Sequence, residues 1–217
     1  MNSRKAKLRQ DLLEAGWHSR GYLPHFEGGE IAQTINLRLA DSLPKSVLER
    51  WNQELAQDQI ANASIVRERI ERYLDQGYGD CALRNKHVAE LVQGSLLHFD
   101  GERYWLCAWV VMPNHLHVLL TPNSAWPLSR IMKLFKSYTS HKANEILDRR
   151  GQFWMEDYFD RYIRDHKHFM NAIAYIENNP VKAGLCDQAG DWMFSSASFR
   201  QQDWSVRGRT SRPRSQL

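Results

Sequence analysis

Two apolar segments on either side of a Pro-Asn break constrain the fold of this chain more than any other feature. Residues 103–112 and 115–121 are rich in aliphatic and aromatic side chains, and only Pro113 and Asn114 separate them. Short apolar runs joined by a tight turn are typical of two antiparallel strands in a hairpin. An isolated hairpin is marginally stable, so these segments predict the centre of a larger sheet.

Other segments supply a third strand and the surrounding helices. Residues 31–39 alternate apolar and polar side chains, which is the period of a strand with one buried face. Helical periodicity and helix-stop signals recur along the rest of the chain. Helices are expected near residues 43–77, 85–96, 127–149 and 166–179, with a further strand late in 153–164. The predicted fold class is α+β, a ferredoxin-like antiparallel sheet with helices on one face.

The length of 217 residues fits a single domain with an arm and a tail. Residues 1–29 are predicted to form an N-terminal arm, and residues 30–199 the domain itself. A helical insertion at about 43–77 has no predicted role. Residues 200–217 are predicted to be a flexible basic tail that is attracted to polyanions, because five arginines oppose one aspartate there.

The apolar runs, the first ten residues and the cysteines argue against several classes of protein. The apolar run at 106–112 is too short to span a bilayer, and the polar, basic residues 1–10 do not form a secretory leader. Three scattered cysteines favour neither a disulfide framework nor a zinc knuckle. They are Cys81, Cys107 and Cys186. The expectation is a cytoplasmic protein with reduced thiols and no membrane partner.

His115 and His117 are the most informative residues of the predicted hairpin. Residues two apart on a strand point to the same face, so both imidazoles project together while Leu116 and Val118 pack on the other face. Such a pair either binds a metal ion or consists of two polar residues on an open face. Burial of two imidazoles in so apolar a strand is costly unless something binds them, which favours a ligand.

Tyr175 and Asn179 are four residues apart and share one flank of the predicted helix at 166–179. Taken alone, the tyrosine fits an interfacial residue with a solvated hydroxyl, and the amide fits a helix end before Pro180. The amide oxygen can also complete a set with the two imidazoles. Mixed imidazole and hard-oxygen donors suit Mg²⁺ or Mn²⁺.

Four stretches of the sequence together resemble the REP-associated tyrosine transposases, a branch of the single-tyrosine HUH transposases. The stretches are GWHSRGYLPHF, MPNHLHVLL, FWMEDYFDRYIRD and AYIENNPVKAG, in this order between residues 16 and 199. The resemblance implies that Tyr175 is the nucleophile and that His115 and His117 bind the metal. It implies Asn179 as the third ligand, at a position where the mobile insertion-sequence relatives have glutamine.

The resemblance also implies a reaction, which is cleavage of single-stranded DNA at REP or BIME hairpins. The phenolic oxygen of Tyr175 would attack a phosphodiester and leave a 5′-phosphotyrosine and a free 3′-hydroxyl. The cofactor would be Mg²⁺ or Mn²⁺, with no nucleotide cofactor. A monomer is favoured over a dimer.

Basic and aromatic residues are the predicted DNA contacts. Cations near the catalytic elements are expected to bind phosphates, and aromatic residues of the arm are candidates for base stacking. The cations are Lys136, Arg161, Arg164 and Lys182, and the aromatic candidates are Trp17, Tyr22, His25 and Phe26.

Two alternative functions share most of these features. One is a catalytically silent protein that binds structured single-stranded nucleic acid. The other is a metal-dependent hydrolase in which water is the nucleophile. Replacement of Tyr175 by phenylalanine separates them, because only the transesterase would lose cleavage and keep DNA binding.

Overall fold

A computed structural model describes residues 16–19, 24–44, 47 and 62–203. The strands are β1 (Trp17–Ser19), β2 (Pro24–Phe26), β3 (Gln33–Arg38), β4 (Tyr104–Val111), β5 (His115–Pro122) and β6 (Phe159–Tyr162). The helices are α1 (Asn62–Asp75), α2 (Lys86–His98), α3 (Leu128–Ile146), α4 (His166–Glu177), α5 (Asn179–Lys182) and α6 (Ser196–Asp203).

Strands β4, β5, β3 and β6 form one antiparallel sheet in that order. β5 pairs with β4 on one side and with β3 on the other, so it lies at the centre. The Pro-Asn break is a tight connection, because the amide of Met112 donates to the carbonyl of His115 at 2.9 Å. The predicted hairpin and the predicted strand at 31–39 are therefore confirmed.

Helices cover both faces of the sheet. α2 and α3 pack on one face in a core that contains Ile35 and Val118, and α4 packs on the other against Val110 and Leu119. The α+β class with an antiparallel sheet is confirmed, whereas the prediction that the helices lie on one face is wrong. β4 and β5 present apolar side chains on both faces, and each apolar face must be covered.

Polar contacts fix both ends of α4, the helix that carries Tyr175. At its start, the carboxylate of Asp165 accepts from the amide of His168 at 2.8 Å. At its end, the carboxylate of Glu177 accepts from the hydroxyl of Ser196 at 2.6 Å and lies 2.7 Å from Nη1 of Arg200. These contacts tie the end of α4 to α6 and restrict the position of the tyrosine.

The insertion and the tail predicted from the sequence are described in part. α1 forms most of the described part of the segment at 43–77, and its Ile70 and Leu74 pack with Leu43. α6 continues to Asp203, beyond the predicted end of the domain at residue 199. Residues 48–61 and 204–217 lie outside the described residues. No helix within the described ranges is long and apolar enough to cross a membrane.

The strands β1 and β2 of the arm form a separate ribbon that is anchored to β6. The ring nitrogens of His25 each lie 2.6 Å from a carboxylate oxygen, of Asp160 and of Asp157. His25 and Phe26 are buried, with 4% and 0% of their surface exposed. The prediction that these two residues stack on bases is wrong, because no base can reach them. Tyr22 and the side chain of Trp17 lie outside the described residues.

Candidate active site

His115 and His117 lie side by side at the start of β5, on the sheet face covered by α4. Their ring centroids are 4.8 Å apart and the rings are perpendicular. Both side chains are buried, with 1% and 5% exposed. In β3, Arg38 is opposite His115 and Asn36 is opposite His117. The pair therefore shares one face, as the strand period predicts.

Asn114 fixes the orientation of His115. Its amide nitrogen donates to the carbonyls of Leu74 at 3.1 Å and Tyr78 at 3.0 Å, so Oδ1 of Asn114 lies 2.8 Å from Nδ1 of His115. Nδ1 consequently carries the hydrogen, and Nε2 keeps its lone pair. Burial, followed by the charges of His117 and Lys182, lowers the pKa of His115 well below its ordinary value. The ring is neutral, which is the form that binds metals.

Tyr175 projects from α4 towards the histidine pair. Its ring centroid is 5.7 Å from that of His117, in an edge-to-face arrangement. The phenol donates to Oε2 of Glu71 at 2.9 Å, so α1 contributes to the site. Burial, followed by the charge and hydrogen bond of Glu71, raises the pKa of Tyr175, while Asn179 acts in the opposite direction with a smaller effect. The hydroxyl is neutral in this environment.

Asn179 begins α5, and Asn178 alone separates it from the end of α4. It is 1% exposed, and neither polar atom of its amide has a hydrogen-bond partner of good geometry among the described residues. Nε2 of His115 and Oδ1 of Asn36 share this condition within the same part of the chain. Each such atom costs about 1–3 kcal/mol unless a ligand satisfies it. Buried polar atoms without hydrogen-bond partners are typical of a ligand site.

The donor atoms of the site fit a divalent metal ion. In the described ranges, no three His, Cys, Asp or Glu side chains are grouped to hold a metal, so a third donor must be of another type. The amide oxygen of Asn179 is the candidate for this third donor, because Asn179 is buried and acts on the phenol of Tyr175, whose ring contacts His117. Neutral imidazole and hard-oxygen donors suit Mg²⁺ and Mn²⁺ better than thiolate metals.

Three of the four predicted phosphate contacts lie near Tyr175 or on the elements beside it. Arg161 is exposed on the edge strand β6, and Arg164 is exposed just before α4. Nζ of Lys182 lies 5.6 Å from the ring centroid of Tyr175 and 3.3 Å from Oδ2 of Asp75. A cavity between β3, β6 and α4 is lined by Tyr175 and His117 among others, and none of these three cations is one of its lining residues.

Lys136, the fourth predicted contact, lies elsewhere. It belongs to α3, which covers the opposite face of the sheet, and its ammonium donates to the backbone carbonyl of Glu156. Burial lowers the pKa of Lys136. The structure does not bring this side chain to the histidine pair.

Several residues of the site carry no sequence signal that links them to it. Glu71 and Asp75 lie one turn apart on α1, but no spacing relates them to Tyr175, at least 100 positions later. Asn114 was visible only as part of the turn before the histidines. Glu177 lies two residues after Tyr175, yet its role depends on Ser196, which only the fold brings close.

The comparisons with known proteins agree with this geometry. A family model described as "Transposase IS200 like" matches residues 85–179, a range that contains the histidine pair, the tyrosine and Asn179. This part of the chain is therefore similar to the IS200-like transposases. The match begins at the N-cap of α2 and ends at the first residue of α5, so it spans the central hairpin and the tyrosine helix.

Individual relatives narrow the resemblance. The REP-associated tyrosine transposase of Escherichia coli K12 is 31% identical over 90 residues, which cover 41% of this chain and 52% of the relative. A Haemophilus influenzae protein whose name assigns it to the same group is 26% identical over 156 residues, 64% of this chain and 83% of the relative. A solved REP-associated tyrosine transposase bound to a REP hairpin shares the fold, with a TM-score of 0.52 and 16% identity. That comparison covers 91% of this chain and 94% of the other.

Proposed function

We propose that this chain is a transposase that cleaves and rejoins single-stranded DNA at REP-type hairpins through a 5′-phosphotyrosine on Tyr175. The observation that carries the proposal is the contact between Tyr175 and His117, with ring centroids 5.7 Å apart in a buried site. Nε2 of His115 and the amide atoms of Asn179 also lack hydrogen-bond partners among the described residues, so they are available to a ligand. Relatives named as REP-associated tyrosine transposases support the hairpin substrate.

In the proposed reaction, one set of residues binds the metal ion and another residue attacks the phosphate. His115, His117 and Asn179 would hold Mg²⁺ or Mn²⁺, which supplies charge neutralisation at the scissile phosphate. Asn114 keeps Nε2 of His115 available by bonding Nδ1 at 2.8 Å. Tyr175 would attack phosphorus through its phenolic oxygen, and the bond energy would be kept in the phosphotyrosine for rejoining. No nucleotide is needed as an energy source.

The site is assembled from elements of one chain, which supports a monomer that acts in cis. β5 supplies the histidines, α4 the tyrosine and α5 the asparagine. The proposal includes a cytoplasmic setting, no membrane partner, and a catalytic domain at 30–199 between an arm at 1–29 and a basic tail at 200–217. It also includes DNA contacts by Arg161, Arg164, Lys182 and Lys136, of which the first three are nearest to the tyrosine helix or Tyr175.

A cleavage assay tests the proposal. Full-length protein is incubated with an end-labelled single-stranded REP-type hairpin and Mg²⁺ or Mn²⁺, and the products are separated on a denaturing gel. Tyr175→Phe is compared with Tyr138→Phe, which removes the hydroxyl of a tyrosine that is 53% exposed on α3, on the other face of the sheet. The expected result is a metal-dependent cut with a covalent protein–DNA band in the wild type and in Tyr138→Phe, absent in Tyr175→Phe.

The remaining outcomes assign the alternative functions. Hairpin binding without a cut in either metal, for several hairpins, identifies a silent recognition protein and contradicts the proposal. Cleavage that persists in Tyr175→Phe identifies a hydrolase that uses water and contradicts it as well.

A further inference from the structure

Glu71 is the carboxylate that meets the nucleophile of the proposed reaction. It lies on α1, in the segment at 43–77 to which the sequence assigns no role, and its Oε2 accepts the phenolic hydrogen of Tyr175 at 2.9 Å. α1 is held against the site by a second set of contacts, because Asn114 donates to the carbonyl of Leu74 at 3.1 Å. The approach of Glu71 is therefore built into the fold of the segment.

The neighbouring carboxylate on α1 has a different partner. Asp75, one turn after Glu71, lies 3.3 Å from Nζ of Lys182, so its charge is engaged in an ion pair. Glu71 also does not form a metal cluster with the two histidines, since no three acidic, His or Cys side chains are so grouped among the described residues. It reaches the site through the hydrogen bond that it accepts from the phenol.

A buried phenol needs a proton acceptor in order to react as a nucleophile. Before reaction the phenol of Tyr175 keeps its hydrogen and donates it to Oε2 of Glu71 at 2.9 Å. As a bond to phosphorus forms, the phenolic oxygen gains positive character and its hydrogen becomes far more acidic. A carboxylate that is already hydrogen-bonded to that hydrogen can then accept it without further movement.

We propose that Glu71 is the general base of the transesterification, an inference that rests on the proposed function. The bond from the phenolic oxygen of Tyr175 to phosphorus forms while the bond from phosphorus to the 3′-oxygen breaks. The phenolic hydrogen passes to Oε2 of Glu71, and the 3′-oxygen takes a proton from water. In rejoining, the 3′-hydroxyl attacks the phosphotyrosine and loses its proton to water, and Glu71 returns its proton to the phenol.

The variants separate proton transfer from simple positioning. Glu71→Gln keeps the length of the side chain and an oxygen that accepts the phenolic hydrogen bond, but it is not a base. Glu71→Asp keeps a carboxylate at a shorter reach. Glu90→Gln is the matched control, because Glu90 lies on α2 and its side chain is 47% exposed.

The experiment measures single-turnover cleavage of the labelled hairpin with Mn²⁺, hairpin affinity by fluorescence anisotropy, and thermal unfolding of each variant. We expect Glu71→Gln to cleave about 10²-fold more slowly or worse, with hairpin affinity and unfolding temperature kept. Glu71→Asp is expected to recover part of the rate, and Glu90→Gln all of it.

Three results overturn the inference in distinguishable ways. A wild-type rate in Glu71→Gln shows that the contact only positions the phenol, and the proposed function stands. If Glu71→Gln loses its fold, the comparison moves to Glu71→Asp, and a rate at the detection limit in a folded Glu71→Asp overturns the role of the carboxylate. Absence of cleavage by the wild type removes the proposed function and this inference together.

Discussion

Two buried histidine environments in this chain have opposite electrostatics. His25, in the arm, places its two ring nitrogens 2.6 Å from carboxylate oxygens of Asp160 and Asp157. His115, in β5, has one ring nitrogen bonded to the amide oxygen of Asn114, while Nε2 lacks a hydrogen-bond partner among the described residues. Burial is nearly complete at both positions, so the difference comes from the neighbours.

The neighbours set opposite charges on the two rings. Burial alone would lower the pKa of His25, but the hydrogen bonds and charges of Asp157 and Asp160 raise it to about 9. At His115, burial and a second imidazole both lower the pKa. A charged, fully partnered histidine stabilises the fold, whereas a neutral one with an available lone pair is suited to bind a ligand.

The largest expected effect is the loss of hairpin cleavage when a histidine of the β5 pair is replaced. His115→Ala and His117→Ala are each expected to reduce hairpin cleavage by about 10³-fold or more, because they remove a donor to the metal. The unfolding temperature should change little, since the cavity that each change leaves is offset in part by removal of a buried imidazole from an apolar strand. Cleavage gels and thermal melts measure both. His141→Ala, at an exposed position on α3, is the control, and a large loss of stability without loss of cleavage would contradict the assignment.

The next largest effect is a loss of stability when a carboxylate beside His25 of the arm is neutralised. Asp160→Asn removes one of the two charges beside His25 and is expected to lower the free energy of unfolding by about 3 kcal/mol. Urea denaturation measures the change, and Asp187→Asn, at an exposed site, is the matched control. A loss no larger than that of the control would show that the contact between His25 and Asp160 contributes nothing to stability.

A pH series sharpens the same contrast. The pKa of His25 is about 9 in the folded state against 6.5 for an ordinary histidine, so the folded state holds the proton more tightly. Its contribution of about 3 kcal/mol is complete below about pH 6.5 and is lost as the pH rises through about 9. We expect the urea midpoint to fall across this window in the wild type and to fall less in His25→Gln. Equal pH dependence in the two proteins would contradict the assignment.

The smallest effect concerns the residue that orients His115. Asn114→Ala is expected to weaken Mn²⁺ binding and cleavage by about 10- to 100-fold, because the ring loses the contact that fixes its tautomer. Calorimetric titration with Mn²⁺ measures the affinity. Asn123→Ala removes an amide that donates to a backbone carbonyl in a distant turn and should leave the affinity unchanged. An unchanged affinity in Asn114→Ala would contradict the orienting role.

Local patterns predicted much of the fold. The hairpin, the strand at β3 and the helices α2, α3 and α4 follow from periodicity and stop signals within each segment. The error about the faces of the sheet has a physical cause. Apolar side chains on both sides of β4 and β5 indicate that both faces of the sheet are buried. Periodicity alone does not indicate which helix packs on which face.

The candidate site was predictable only where its residues lie close in sequence. The spacing of His115 and His117 places them on one face, and the interval from Tyr175 to Asn179 places both near the end of the predicted helix, although Asn179 begins α5 in the structure. Glu71 and His25 depend on contacts across more than 100 positions, which no local pattern encodes. Sequence composition also cannot distinguish an aromatic arm that binds bases from one that packs into the fold.

The most direct test of the account is to map the attachment site of the DNA. Wild-type protein is reacted with an REP-type hairpin and Mn²⁺, digested with nuclease and protease, and analysed by tandem mass spectrometry. We expect a nucleotide linked through phosphate to Tyr175, present only with metal and absent in His117→Ala. A nucleotide on another residue, or cleaved DNA with no adduct at all, would contradict it.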